Sequence, residues 1–228
     1  MRTSIAVSSV CPSSFFLSEL RLLSVFRVQV RGLMHSSPTL YTAPRISVNR
    51  IRASRQREEG TSATLQGSVF HQIAAQMRAH PVSSYRLLSA DQQVWNVQFA
   101  GEGSIDVGGP FRESVSNLCA DLMSTNTDLF LLCPNGSSSV GLNRSSFVPS
   151  PSAASTAQLA QLEFVGQLMG IALRTRLPLA LDLPSTVWKS LLGQPLDAGD
   201  LESFDSAPPD LRSCTCRWFW THQRTSQC

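Results

Sequence analysis

Phe99-Ala100-Gly101-Glu102-Gly103-Ser104-Ile105-Asp106-Val107-Gly108-Gly109-Pro110-Phe111-Arg112-Glu113 joins an alternating apolar run to a helical one, and the architecture of the chain turns on it. Just ahead of it Trp95, Val97 and Phe99 alternate with Asn96 and Gln98, which puts three apolar side chains on one face of a strand. The glycines Gly101, Gly103, Gly108 and Gly109 permit positive φ and close backbone approach in the loop after the strand. Pro110 suits the first helical position, and Phe111, Val115, Leu118 and Leu122 then recur at spacings of four, three and four. A strand, a glycine loop and a helix start together suggest a phosphate cradle, because backbone N–H groups there attract anions. The residues exclude it. Asp106 stands where a dinucleotide fingerprint needs glycine, and Gly109-Pro110 follow Gly108 where a phosphate loop needs Lys and then Ser or Thr. Glu102 and Asp106 would repel a phosphate, and as an acid–base pair they lack a second catalytic partner; loop carboxylates usually cap turns and helix starts.

Upstream, Phe70, Ile73, Ala74 and Met77 fall at helical spacing with His71, Gln72, Gln76 and Arg78 on the other side, and His80-Pro81 closes the segment. Downstream, Pro, Gly, Ser and Asn crowd the stretch from Cys133 to Ser155, which predicts a long loop. Ser155 offers a capping box with Gln158. The helix it starts carries Leu159, Leu162, Phe164, Val165, Leu168, Met169, Ile171, Ala172 and Leu173, apolar over more than half its circumference, and is expected to be the central core helix. Gly166 and Gly170 leave a groove on it for close packing, and Pro178 is expected to end it. Ser185 is expected to cap a further helix with Val187, Trp188, Leu191 and Leu192 facing inward and Gly193 as its left-handed stop.

Of 228 residues, 42% are hydrophobic and 15% charged, with a net charge of +3, so the chain is long enough for a sizeable core. No run of about 18 apolar residues occurs, which rules out a helical membrane span. The basic residues are lopsided: Arg2, Arg21, Arg27, Arg31, Arg45, Arg50, Arg52, Arg55 and Arg57 precede Glu58 with only Glu19 against them, the pattern of a solvated leader. Arg-rich, Ser-rich and acid-poor is also the composition of a mitochondrial transit peptide. The expected location is nevertheless the cytoplasm, with the nucleus as the second compartment. Lys189 is the single lysine, so a protein modifying itself would have one side-chain acceptor here.

Six cysteines, Cys11, Cys119, Cys133, Cys214, Cys216 and Cys228, lack the density of a disulfide scaffold. Cys119 lies mid-helix, where a small buried apolar role is expected. Cys133 sits at a turn and is expected to be more accessible, though structural. Cys214, Cys216, His222 and Cys228 depart from zinc-knuckle spacing, and no metal or cofactor is expected. The segment from residue 206 onward, with Pro208-Pro209 and Trp218-Phe219-Trp220, continues no helical or strand period.

Read as one unit, the Phe99–Glu113 stretch resembles the signature near the start of the HECT domain of ubiquitin-protein ligases, a strand ending in Gly-Glu, an Asp two before Gly-Gly, and an Arg-Glu pair entering a helix. Leu162–Leu173 with Pro178-Leu179 and Leu181-Asp182-Leu183 looks like the family's next landmark, and Trp188-Lys189 through Leu192-Gly193 to Asp200–Asp205 is similar to the segment after it. Ile46–Arg50 resembles the opening strand, so the likeness covers residues 46–205, between an unmatched leader (1–45) and an unmatched tail (206–228), both expected to be disordered. The Gly-Gly-Pro-Phe-Arg-Glu form is more similar to giant HERC-like ligases than to the WW-domain type.

The resemblance implies an α+β fold, mostly helical with a few short strands: part of the N-lobe of a bilobal domain. It implies transfer of ubiquitin from a conjugating enzyme to substrate lysines through a cysteine thioester, with the conjugating enzyme and ubiquitin as partners of the full-length protein and no nucleic acid. The thioester cysteine is expected downstream of Asp205; Thr215-Cys216 is followed by Arg217-Trp218-Phe219 instead of the family's leucines and proline, so Cys216 does not take that role. The chain is therefore expected to lack the C-lobe and to be inactive alone, with a non-catalytic interaction or scaffold protein as the alternative. Gly101, Glu102, Gly103, Asp106, Gly108, Gly109, Phe111, Arg112 and Glu113 are then structural: Gly108 and Gly109 allow the turn, Phe111 anchors the helix, and Arg112 and Glu113 orient neighbouring segments. Gly109→Val is expected to block the turn if φ is positive at that residue.

Overall fold

The computed structural model describes residues 28–31, 43–59, 66–85, 92–102 and 108–206. Among them the order is β1 (Arg45–Val48), α1 (Arg50–Glu59), α2 (Val69–Met77), a 3-10 turn (Val82–Tyr85), β2 (Asn96–Phe99), α3 (Gly109–Leu122), β3 (Phe130–Leu132), α4 (Pro134–Ser138), β4 (Phe147–Pro149), α5 (Thr156–Thr175), α6 (Ser185–Leu192) and α7 (Ala198–Glu202). The architecture is α+β and mostly helical, as expected. Most of the leader (1–27 and 32–42), the tail from residue 207, and Gly103 and Asp106 lie outside the described residues; of the remaining leader, 28–31 is helical and Arg45 opens β1.

The apolar faces meet where the periodicities place them. Strands β1 and β2 pair in parallel, Ile46 against Val97 and Val48 against Phe99, and all four side chains are buried. On α2 the buried set is Val69, Phe70, Ile73, Ala74 and Met77; on α3 it includes Phe111, Val115, Leu118 and Leu122. Helix α5 closes the core with Leu162, Phe164, Val165, Leu168, Met169 and Ile171, and its Phe164 ring meets Phe70 at 5.9 Å between centroids. Its start is the reciprocal Ser155–Gln158 capping box. Its end comes at Thr175, with Arg176 in the left-handed conformation, ahead of Pro178. Leu173 lies on the solvent side of the helix.

The wet face expected for α2 has another use. Gln76 accepts from the Ser47 N–H at 3.0 Å and donates to the Ser47 carbonyl at 2.8 Å. Gln72 does the same for Asn49, at 2.7 and 3.1 Å. Two side-chain amides thus occupy the edge of β1 that faces away from β2, satisfying backbone groups that would otherwise need water or another strand.

Two further expectations are corrected, and one helix without a sequence signal is added. The stretch from Cys133 to Ser155 contains α4 and β4: β4 pairs antiparallel with β3, and the Phe147 N–H donates to the Asp182 carbonyl at 2.7 Å. Buried Asn135 ties this region to the end of α7, donating to the Leu142 carbonyl at 2.9 Å and accepting from the Ser206 N–H at 2.6 Å. Helix α1 has no apolar stripe; Asn49 caps it by accepting the Arg52 N–H at 2.8 Å, and of its described side chains only Ala53 enters the core. On α6, Pro184 takes the cap position in place of Ser185, and Trp188 is 40% and Leu192 72% exposed while Val187 is buried. Gly193 stops the helix in the left-handed conformation, as expected.

Candidate functional site

The glycine loop between β2 and α3 is held at its two described ends. After β2 the chain turns at Gly101, and it re-enters the described structure at Gly108, whose φ of 101° and ψ of −20° demand glycine. Gly108 is the cap residue of α3, Gly109 its first helical residue, and Pro110 the second. The expectation that both glycines make the turn is corrected on this point: Gly109 lacks a positive φ, and a Cβ there would meet nothing within 4 Å. The condition attached to Gly109→Val is therefore not met; of the two glycines Gly108 carries the left-handed step.

Phe111 anchors the helix from below. It is buried, and its ring stands edge-on to buried Trp95 at 5.1 Å. The Trp95 indole N–H donates to the Ser114 hydroxyl at 3.2 Å, and that hydroxyl donates to the Phe111 carbonyl at 2.6 Å. Every polar atom of this small network has a partner, as a buried indole requires.

Arg50 binds the same region from above. Its Nε donates to Glu102 at 3.0 Å, its terminal nitrogens pair with both Glu102 and Glu113, and its guanidinium carbon lies 4.0 Å over the Phe99 ring. The hydrogen bond to Glu102, together with the charge of both carboxylates, outweighs burial and raises the arginine pKa. One residue thereby ties the start of α1, the end of β2, the loop and the first turns of α3. Among the described residues Glu102 is the ion-pair partner of Arg50. Glu113 pairs with Arg50; Arg112 is exposed and forms no ion pair with a described residue. In the sequence Arg50 reads as one more residue of the basic leader, and its bracing role is hidden there because its partners are 49, 52 and 63 positions away.

The described cysteines are structural. Cys119 is buried, and burial pushes its thiol up to about 11, against a hydrogen bond from the Ala180 backbone, so it holds no thiolate at neutral pH. Cys133, expected to be accessible, is fully buried as the cap of α4: its sulfur accepts from the Gly136 N–H at 3.4 Å and donates to the Asn143 carbonyl at 3.2 Å. Among the described residues no group of three or more His, Cys, Asp or Glu side chains is placed to hold a metal ion, and no helix is long and apolar enough to cross a membrane. What the arrangement does is positional: a braced loop and helix start on a packed core.

Residues 116–216 match the family model described as HECT-domain (ubiquitin-transferase). The loop signature lies just ahead of that match. The chain is 38% identical over 164 residues to the E3 ubiquitin-protein ligase HERC2 of Homo sapiens, covering 71% of this chain and 3% of the relative. It is 35% identical over 177 residues to the probable E3 ubiquitin-protein ligase HECTD4 of Homo sapiens, 75% of this chain and 4% of that protein. The E3 ubiquitin-protein ligase TOM1 of Saccharomyces cerevisiae is 28% identical over 130 residues, 54% of this chain and 4% of the relative. The chain thus spans about 3–4% of the length of these three relatives.

Proposed function

Since this chain carries a partial HECT domain of the ubiquitin-transferase family, we propose that it serves as the framework of the N-lobe in a HECT-type ubiquitin ligase, which moves ubiquitin from a conjugating enzyme through a cysteine thioester to substrate lysines. The match over residues 116–216 carries the reading. The site supports a structural role for the segment: Gly101, Glu102, Gly108, Phe111 and Glu113 set one turn and one helix start, and Arg50 braces them. The thioester step needs a nucleophilic thiolate, and the burial of Cys119 and Cys133 favours a cysteine elsewhere in the working enzyme. Ubiquitin and a conjugating enzyme are the partners the family implies, and the cytoplasm, with the nucleus as the second compartment, is where that chemistry would run; imaging of the tagged protein tests the location.

A chimera tests the function. When the aligned 164-residue stretch of human HERC2 is replaced by that of this chain, the chimera should still take ubiquitin as a thiol-sensitive adduct and pass it to lysine. A folded chimera that takes no ubiquitin would overturn the reading. The buried cysteines also favour a second use of the segment by itself, as a non-catalytic scaffold for ligase partners. On that reading the folded 228-residue chain, incubated with activating enzyme, conjugating enzymes and ubiquitin, binds a partner without forming an adduct on Cys119 or Cys133.

A further inference from the structure

Lys189 is the only lysine among the 19 Lys and Arg residues, and its ammonium is not free. It donates to Asp200 Oδ2 at 2.7 Å and reaches Asp197 Oδ2 at 3.5 Å. Asp200 is itself fixed. The two aspartates form a reciprocal capping box at the start of α7, the Asp197 N–H donating to Asp200 Oδ2 at 3.0 Å and the Asp200 N–H to Asp197 Oδ1 at 2.9 Å. The Ser185 hydroxyl donates to Asp200 Oδ1 at 3.0 Å. The Asp200 side chain keeps only 7% of its surface exposed, so both its oxygens are satisfied from within the α6–α7 corner, and Lys189 supplies the countercharge.

We propose that Lys189 is a latent acylation site: closed to activated acyl donors while Asp197 and Asp200 hold its ammonium, and opened when the corner between α6 and α7 unlatches. Acylation requires the ammonium to give its proton to a base in solution. The free amine then adds to the acyl carbonyl, its nitrogen gives a second proton to solvent, the carbon–sulfur bond of a thioester breaks, the thiolate leaves, and an amide remains. That amide carries no charge. It cannot pair with Asp200, whose nearly buried carboxylate would keep only the Asp197 N–H and the Ser185 hydroxyl, so acylation holds the corner in its opened state. The hydrogen bond from Lys189 to Asp200, with the charge of both aspartates, raises the lysine pKa against burial and opposes the proton loss that must come first. The identification of the donor as a ubiquitin thioester rests on the proposed function; the latch does not.

The test uses the full chain and no ubiquitin, so that failure of the latch and failure of the ligase reading are distinguishable. The chain is treated with N-hydroxysuccinimide acetate, and acetylation of Lys189 is followed by mass spectrometry beside a synthetic peptide of residues 185–193. Lys189 in the folded chain should react about fivefold or more slowly than in the peptide. Asp200→Asn keeps a side-chain oxygen for the Asp197 N–H and removes the charge; it should bring the rate to that of the peptide. Labelling of Cys119 by a maleimide in the same samples reports global unfolding. Release of Lys189 with Cys119 still protected supports a local latch. Reaction at the peptide rate in the unaltered chain, no acceleration in Asp200→Asn, or release only together with Cys119 would each overturn it; Asp197→Asn, which still caps α7, should give a smaller acceleration of the same sign.

Discussion

Replacing Gly108 by Ala should lower the stability of the chain by roughly 1–2 kcal/mol, while the same change at Gly109 should stay within about 1 kcal/mol of no effect. At Gly108 a residue with a Cβ must adopt φ 101° and ψ −20°, for which strain of roughly 1–3 kcal/mol is typical. The new Cβ would lie 3.3 Å from Gln93 Nε2, the far end of a flexible side chain that gives way at little cost. Against the strain stands the smaller conformational freedom of alanine in the unfolded chain, about 0.4–1 kcal/mol. At Gly109 the backbone is helical and the Cβ space is empty. Only the clash between a residue in the helical region and the ring of the proline after it opposes the same entropic gain. Urea unfolding of the two variants, followed by far-ultraviolet circular dichroism, gives both free energies if the slopes match. For a chain of this size the Gly108 change corresponds to a fall in Tm of about 2–8 °C. Equal effects at the two positions, or a larger one at Gly109, would refute the assignment of the left-handed step to Gly108.

Arg50→Gln should cost no more than about 1 kcal/mol, because the pairs it breaks are a third to a half exposed; the difference from the unaltered chain should shrink between about 0.05 M and about 1 M salt, and a salt-independent loss would mean that packing on Phe99 dominates. The His71 pKa is held below its ordinary value by burial and by Arg78 and Arg52. The unfolded chain therefore binds the proton first, and stability should decline as pH falls through about 6.5; a Tm–pH slope unchanged in His71→Gln would exclude this cause. Asp200 is held low because, against burial, the hydrogen bonds from Lys189, the Asp197 backbone and Ser185 prevail, so a second loss should set in as pH falls below about 4 and be absent from Asp200→Asn. A maleimide at neutral pH should label neither Cys119 nor Cys133 until urea is added, read by mass spectrometry, and native labelling of either would contradict their burial.

The elements legible in the sequence are those whose register is set by their own period. Phe70, Ile73, Ala74 and Met77, or Leu162 through Ile171, bury one face of a helix wherever the helix lies, and Ser155 meets Gln158 within a single turn. Elements held from outside leave no such trace. Of its described side chains helix α1 contributes only Ala53 to the core, while α4 and β4 span five and three residues and rely on Asn135 and on the Asp182 carbonyl across the fold. In the candidate site the glycine turn and the Phe111 anchor are readable from local spacing. The Arg50 brace is not, since an arginine beside three others looks the same whether it faces water or a distant carboxylate. Trp188 and Leu192 follow the apolar spacing of α6, but spacing says only that a face exists, and the described residues cover Val187 rather than these two.

The glutamine pair on α2 bears on how this chain behaves beside copies of itself. A short, flat strand at the rim of a sheet offers a row of donors and acceptors to any extended segment nearby, the usual beginning of intermolecular aggregation. Here Gln72 and Gln76 already occupy the Ser47 and Asn49 positions of that row with four hydrogen bonds. An incoming strand would have to displace them from a helix whose opposite face is locked into the core. Glutamines that look like solvent-facing filler are thus the part of the sequence that keeps the β1–β2 pair from growing at its outer edge.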